Sequence, residues 1–246
     1  MTIPSTATSV RLGMITPSSN TVLEPMTAAL LASTPSITAH AARIRVTEIS
    51  LDAGSAGQFD QTPMIAAARL LAEAKVASIC WNGTSAGWLG PDRDRATAAA
   101  ITEETGIPAT SAVLATLDAL KALGSDGFGL VTPYVAEVQD RIRANFAAEG
   151  FPCVADRRLD ITENFAFAEV EQATVERMIR AVADDGARAV IVLCTNVRGA
   201  RLADRLEAEL GITLLDSVSV ALWGALRAAG ADPGVVRGWG RLFDLR

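Results

Sequence analysis

Histidine occurs once in this sequence, as His40, and tyrosine once, as Tyr134. A single imidazole cannot build a zinc site of several histidines, and a histidine-dependent hydrolase would have to run through His40 alone. Cysteine is nearly as scarce. Cys80, Cys153 and Cys194 form an odd set without CxxC or metal-ligand spacing, which argues against a disulfide framework and for reduced thiols with no metal. Neither a Walker pattern nor GxGxxG occurs, so nucleotide binding has no support. Basic side chains are outnumbered, 22 against 28 acidic, for a net charge of −6, which leaves no footprint for nucleic acid or an anionic membrane surface. No stretch reaches the roughly 18 consecutive apolar residues of a membrane span, since Arg69, Glu73 and Lys75 interrupt even the Ala-rich run around Leu70. Residues 1–10 lack a basic region followed by an apolar one, which points to the cytoplasm.

What is present is half apolar: 50% of 246 residues, enough to bury roughly 70–75% of the unfolded surface in a globular fold. Short apolar runs at 10–16, 76–81, 127–132, 189–194 and 212–215 read as strands, and 37–44 is a further one. Between them 21–32, 63–74, 115–123, 136–148, 169–183, 201–210 and 220–229 have helical spacing, and Gly90-Pro-Asp92 reads as a helix start. Strands alternating with helices predict an α/β fold with parallel sheets flanked by helices.

An internal repeat sharpens that reading. Gly13-Met-Ile-Thr16-Pro17 recurs as Gly129-Leu-Val-Thr132-Pro133, and Asn82-Gly83-Thr84-Ser85 has its counterpart in Leu193-Cys194-Thr195-Asn196. Gly106-Ile-Pro-Ala-Thr-Ser111 likewise parallels Gly211-Ile-Thr-Leu-Leu-Asp-Ser217. The offsets are 116, 111 and 105 residues, as expected of a duplicated unit trimmed in its loops. Two pseudo-symmetric lobes follow, one from 1–115 plus 217–246 with the Gly-Thr-Ser loop, the other from 116–216 with the Cys-Thr-Asn loop. Ligands of open α/β sheets sit beyond the carboxyl ends of the strands, so the expected site lies in the cleft between the lobes.

Cys194 ends an apolar run and opens, through Thr195-Asn196, the next helix, whose positive end would favour its thiolate; the bland alternative is a buried structural thiol. Cys80 and Cys153 read as core packing. The repeat sets Gly83 opposite Cys194, so one face of the cleft carries a thiol and the other none. Gly83-Thr84-Ser85 offers two hydroxyls and backbone N–H groups suited to an oxyanion or carboxylate, though such a turn can be an ordinary helix cap. Tyr134 is either a packed phenol or a donor to a developing enolate. In Pro17-Ser18-Ser19-Asn20 the Asn20 amide suits a carboxylate, or caps the helix that follows. Arg198 is the cation near Cys194 in sequence, and His40 reads as structural.

With these residues assembled, the chain resembles the aspartate/glutamate racemase superfamily, and within it the arylmalonate decarboxylases and maleate isomerases. The resemblance rests on Gly83-Thr84-Ser85, Thr132-Pro-Tyr134 with Val138-Gln-Asp-Arg141, Cys194, Leu222-Trp-Gly-Ala-Leu-Arg-Ala-Ala-Gly230 and Gly238-Trp-Gly-Arg-Leu-Phe-Asp244. It implies flavodoxin-like lobes and a cofactor-independent enzyme acting on a small dicarboxylate or substituted malonate. Racemases and isomerases of the superfamily carry a cysteine in each lobe, whereas the decarboxylases have Gly at the first position, as at Gly83 here. Carried over, Thr84, Ser85 and Tyr134 form a dioxyanion hole and Cys194 protonates the intermediate from one face. The polar loops with Asn20 and with Thr195-Asn196 look instead like the isomerases, where Asn grips a substrate carboxylate. The leading expectation is decarboxylation of a substituted malonate. Its rivals are a maleate isomerase or amino-acid racemase using Cys194, and a carboxylate-binding protein without catalysis.

Overall fold

In the computed structural model, residues 9–46 and 61–245 are described. Two four-stranded sheets, every strand pair parallel, form the frame. The first runs in the order β2-β1-β3-β4, with β1 Val10–Pro17, β2 Ile37–Ile44, β3 Ser78–Trp81 and β4 Ala109–Ser111. The second repeats that order as β6-β5-β7-β8, with β5 Phe128–Thr132, β6 Cys153–Arg158, β7 Ala189–Val192 and β8 Thr213–Asp216. The duplication read in the sequence is thus a duplication of topology. Strands β3 and β7 are buried at every residue because helices cover both faces, which is why they read as unbroken apolar runs.

Nine α-helices are described: α1 Leu23–Leu30, α2 Gln61–Glu73, α3 Ala86–Leu89, α4 Pro91–Thr105, α5 Ala112–Leu123, α6 Ala136–Ala148, α7 Gln172–Asp184, α8 Ala203–Leu210 and α9 Ser217–Ala228. Helix α7 buries Val175, Met178, Ile179 and Val182, an i, i+3, i+4, i+7 stripe, and leaves the other face to solvent. Helices α5 and α9 start alike: Ser111 accepts from the Leu114 N–H, and Asp216 from those of Val218 and Ser219. They also pack on each other, and α9 lies against β3 and β4 although it leaves β8 of the second sheet. Buried almost all round, α9 joins the two sheets through one apolar layer.

The structure corrects several boundaries. Cys194 lies two residues beyond the end of β7 and does not open a helix: α8 begins only at Ala203, after a 3-10 turn at Ala200–Leu202. The expected helix at 169–183 starts at Gln172, because Phe165–Glu169 forms a separate 3-10 turn and Val170 is extended. Helix α5 begins three residues before the expected 115, at Ala112, where Ser111 caps it. The helix announced by Asp92 runs a full 15 residues, closed by Gly106 at φ +68°.

Candidate active site

In each sheet the chain leaves the first strand for one edge and returns to the other side, so β1/β3 and β5/β7 flank the points where strand order reverses. Ligands of such sheets bind at those points, beyond the carboxyl ends. The loops after β1, β3, β5 and β7 carry every residue expected at the site. Pro17 ends β1, and its carbonyl accepts from the Asn20 N–H at 3.0 Å. Gly83 and Thr84 follow β3, and Ser85 heads α3, its carbonyl accepting from Trp88 and Leu89. Tyr134 lies two residues past β5, and Cys194, Thr195 and Asn196 follow β7.

The two lobes meet through these loops. The Thr84 and Tyr134 hydroxyls are 2.7 Å apart, both buried. Thr195 Oγ1 donates to the Asn82 carbonyl at 2.7 Å and accepts from Asn20 Nδ2 at 3.0 Å. Asn196 Oδ1 accepts from the Thr21 N–H at 3.0 Å, and its Nδ2 donates to the Asn164 carbonyl at 2.6 Å. Asn20 Oδ1 meanwhile caps the first turn of α1, accepting from Val22 and Leu23. The cap reading of Asn20 holds, and its amide N–H group is engaged by Thr195 of the other lobe. Asn82 and Asn164 are polar members of this lattice that the sequence did not single out. Asn82 could have been found, since it opens the Asn-Gly-Thr-Ser loop; Asn164, 32 residues from its partner Asn196, carries no local signal.

Tyr134 is aimed by its own strand end. Thr132 Oγ1 accepts from the Tyr134 N–H at 3.3 Å and donates to Gln139, whose Nε2 donates to Asp156 at 2.7 Å. Trp88 and Phe167 hold the phenol edge-on, with ring centroids at 5.2 and 5.4 Å. Its hydroxyl is bonded to Thr84 and lies near enough to the Cys194 thiol to bear on its ionisation. Burial is the largest influence on Tyr134 and raises its phenol well above the ordinary range, so it is a neutral O–H.

The same cause decides the state of Cys194. Burial pushes the thiol up to about 12, while the Tyr134 hydroxyl and the Asn196 N–H pull the other way and the Asp216 charge adds to the rise. The expected thiolate, favoured by a helix terminus, is replaced by a neutral S–H, because no helix starts there and water is excluded. Cys80 is enclosed in β3, and Cys153 is half-buried against the core, its Sγ donating to the Ala155 carbonyl; neither lies in the loops that follow β1, β3, β5 and β7. Arg198 is exposed on the Cys194 loop. His40 lies on edge strand β2, its Nε2 3.0 Å from the Thr38 hydroxyl. Among the described residues no group of three or more His, Cys, Asp or Glu is placed to hold a metal ion.

A family profile described as arylmalonate decarboxylase matches residues 12–243. The chain belongs to the arylmalonate decarboxylase family. It is 32% identical to the arylmalonate decarboxylase of Bordetella bronchiseptica over 72% of this chain and 75% of that one. The maleate isomerase of Nocardia farcinica is 25% identical over 95% of both chains. The solved structure of a liganded arylmalonate decarboxylase double mutant, with a glycine changed to cysteine and a cysteine to serine, superposes with a TM-score of 0.84. It is 26% identical, covering 96% of this chain and 99% of that one. Arylmalonate decarboxylases and maleate isomerases are thus both relatives, and the two lobes with parallel sheets are the architecture this family shares with them.

Proposed function

We propose that the protein removes one carboxyl group from a substituted malonate and protonates the product from a single face, with Cys194 as the acid. One observation carries this reading: burial holds the Cys194 thiol neutral, and the Tyr134 hydroxyl that bears on it is bonded to Thr84 from the opposite lobe. A neutral thiol is ready to give a proton and not to attack carbon.

In this mechanism the retained carboxylate is bound by Thr84, Ser85, the Tyr134 hydroxyl and the backbone N–H groups of the turn after Gly83. The leaving carboxylate faces the apolar side near Trp88 and Phe167, where loss of hydration raises its energy. Its C–C bond breaks, CO2 departs, and the electron pair enters the retained carboxyl as an enediolate. Each preorganised donor contributes about 3–4 kcal/mol to holding that charge. Cys194 gives its proton to the α-carbon, and a solvent proton restores the thiol. Pro17 and Gly83 shape the walls of the cleft, while Asn20, Thr195 and Asn196 keep the two lobes closed over it.

The isomerase reading draws on the polar Asn20 and Asn196 loops. In it Cys194 must first lose its proton and then add to an alkene, and a thiol at about 12 opposes that step. The test is incubation with phenylmalonate, methylphenylmalonate, maleate, aspartate and glutamate in D2O, followed by NMR. CO2 release with deuterium delivered to one face, lost in Cys194→Ser, is the expected result. Turnover of maleate without CO2 would replace this reading with the isomerase, and binding without turnover of any acid would favour a carboxylate-binding protein.

A further inference from the structure

Trp81 closes β3 and is 1% exposed, paired with Ile15 of β1 and Ser111 of β4. Residues two apart in an extended chain project to the same side, so Trp81 and Gly83 share one. The indole folds over that glycine. A Cβ at Gly83 would lie 2.0 Å from Cζ2, 2.4 Å from Cε2 and 2.9 Å from Cη2 of Trp81, distances no side chain can occupy. The contact is with the middle of a fully packed ring and not with a flexible tip, so relief requires the whole indole to move.

Gly83 lacks a Cβ at the place where the repeat sets a thiol in the other lobe, and the indole fills the space that a side chain would take. A second observation concerns the same ring. Its Nε1, one bond from the Cε2 that overlies Gly83, is buried without a hydrogen-bond partner. A buried donor without a partner is unfavourable, and an acceptor brought by a ligand relieves it. The ring overlies the head of the Gly83-Thr84-Ser85 loop, which binds the retained carboxylate in the decarboxylase reading.

We propose that Trp81 is a specificity-determining residue: its indole walls off the first-lobe side of the cleft, denies that side an acid or base, and offers Nε1–H to a substrate carboxylate. This rests on the decarboxylase reading for its chemistry, but the wall itself does not. Simple exchange of Gly83 for cysteine is then insufficient to make a two-faced enzyme, because the new side chain meets the indole.

The experiment compares wild type, Trp81→Leu, Gly83→Cys and the Trp81→Leu/Gly83→Cys double variant. Thermal melts read the wall without any substrate. Gly83→Cys is expected to lose much of its Tm, and Trp81→Leu to restore most of that loss in the double variant; equal losses from Gly83→Cys in both backgrounds would overturn the wall. With 2-phenylpropionate in D2O, α-proton exchange with loss of optical purity is expected from the double variant and not from Gly83→Cys alone. Exchange by the single variant at the rate of the double would overturn the proposal, as would no exchange from a folded double variant whose new thiol is alkylated by iodoacetamide. Trp81→Phe keeps a wall and removes the N–H: KM for the accepted malonate should rise about tenfold with kcat within a factor of two, and an unchanged KM would remove the carboxylate contact. If wild type releases no CO2 from any malonate, the decarboxylase reading fails while the melts still judge the wall.

Discussion

At the residue scale the protein turns on how burial sets protonation. Free cysteine ionises near pH 8.5, but Cys194 in its water-free loop is raised to about 12. Iodoacetamide should therefore modify Cys194 in the folded protein far more slowly than an exposed thiol at pH 8, with a rate that is still rising at pH 10. Mass spectrometry of the alkylated peptide reads this, and a plateau near pH 8 would show the thiolate the sequence alone suggests. If Cys194 is the acid, Cys194→Ser should lower kcat by about 10²–10⁴-fold, the range of a lost general acid. Chain position and repeat symmetry were enough to single out Cys194, Thr84 and Tyr134. Their protonation was not legible, because desolvation depends on what the distant Trp88, Phe167 and Asn20 loops enclose.

At the scale of elements, helix starts carry buried carboxyl groups. Asp94 in the first turn of α4 is 3% exposed, and its Oδ2 has no hydrogen-bond partner. Burial raises it to about 7 against the opposing pull of Ser111 and Arg93. Asp216, the cap of α9, is likewise raised to about 7 by burial, with the N–H groups of Ser219 and Val218 opposing. Both folded values lie above the ordinary carboxylate near 3.9. Below pH 4 each group is protonated in both states. As pH rises toward 7 the unfolded chain ionises and the folded one does not, so stability falls across that window and levels off above it. For one such carboxyl the whole fall amounts to about 4 kcal/mol. Asp94→Asn, which keeps the shape and removes the charge, should remove roughly half of the loss in Tm between pH 4 and 7; thermal melts across that range check it. The Gly90-Pro-Asp92 start of α4 was visible in sequence, and Asp92 itself is exposed. The burial of Asp94, two residues on, was not, since nothing local shows what packs over it.

At the scale of the whole molecule, α9 binds the sheets together. It leaves β8 and packs on β3, where Ser78 Oγ donates to the Ala225 carbonyl at 2.7 Å. Its close approach to α5 depends on Gly224, where an added Cβ would come within 2.5 Å of the Ala115 Cβ. Gly224→Leu should cost about 1–3 kcal/mol through overpacking, and more if the helices cannot part. Because α9 is capped by Asp216, close enough to bear on the Cys194 thiol, kcat should fall together with Tm. Chemical denaturation and steady-state kinetics on the same variant test this, and a stable variant with unaltered kinetics would show that the α5–α9 contact is dispensable.

The αβ alternation, the duplication and the placing of the candidate loops at strand ends were all legible in local sequence. They depend on periodicity, on Gly and Pro punctuation and on a repeat whose two copies must fold alike. The tertiary structure decided what those loops do to one another. It bonded the Tyr134 hydroxyl to Thr84 and set it near Cys194, kept that thiol protonated, engaged the Asn20 and Asn196 amides in bracing the cleft, and laid Trp81 over Gly83. Each of these joins residues far apart in the chain or depends on the exclusion of water, and neither property is written in any short stretch of sequence.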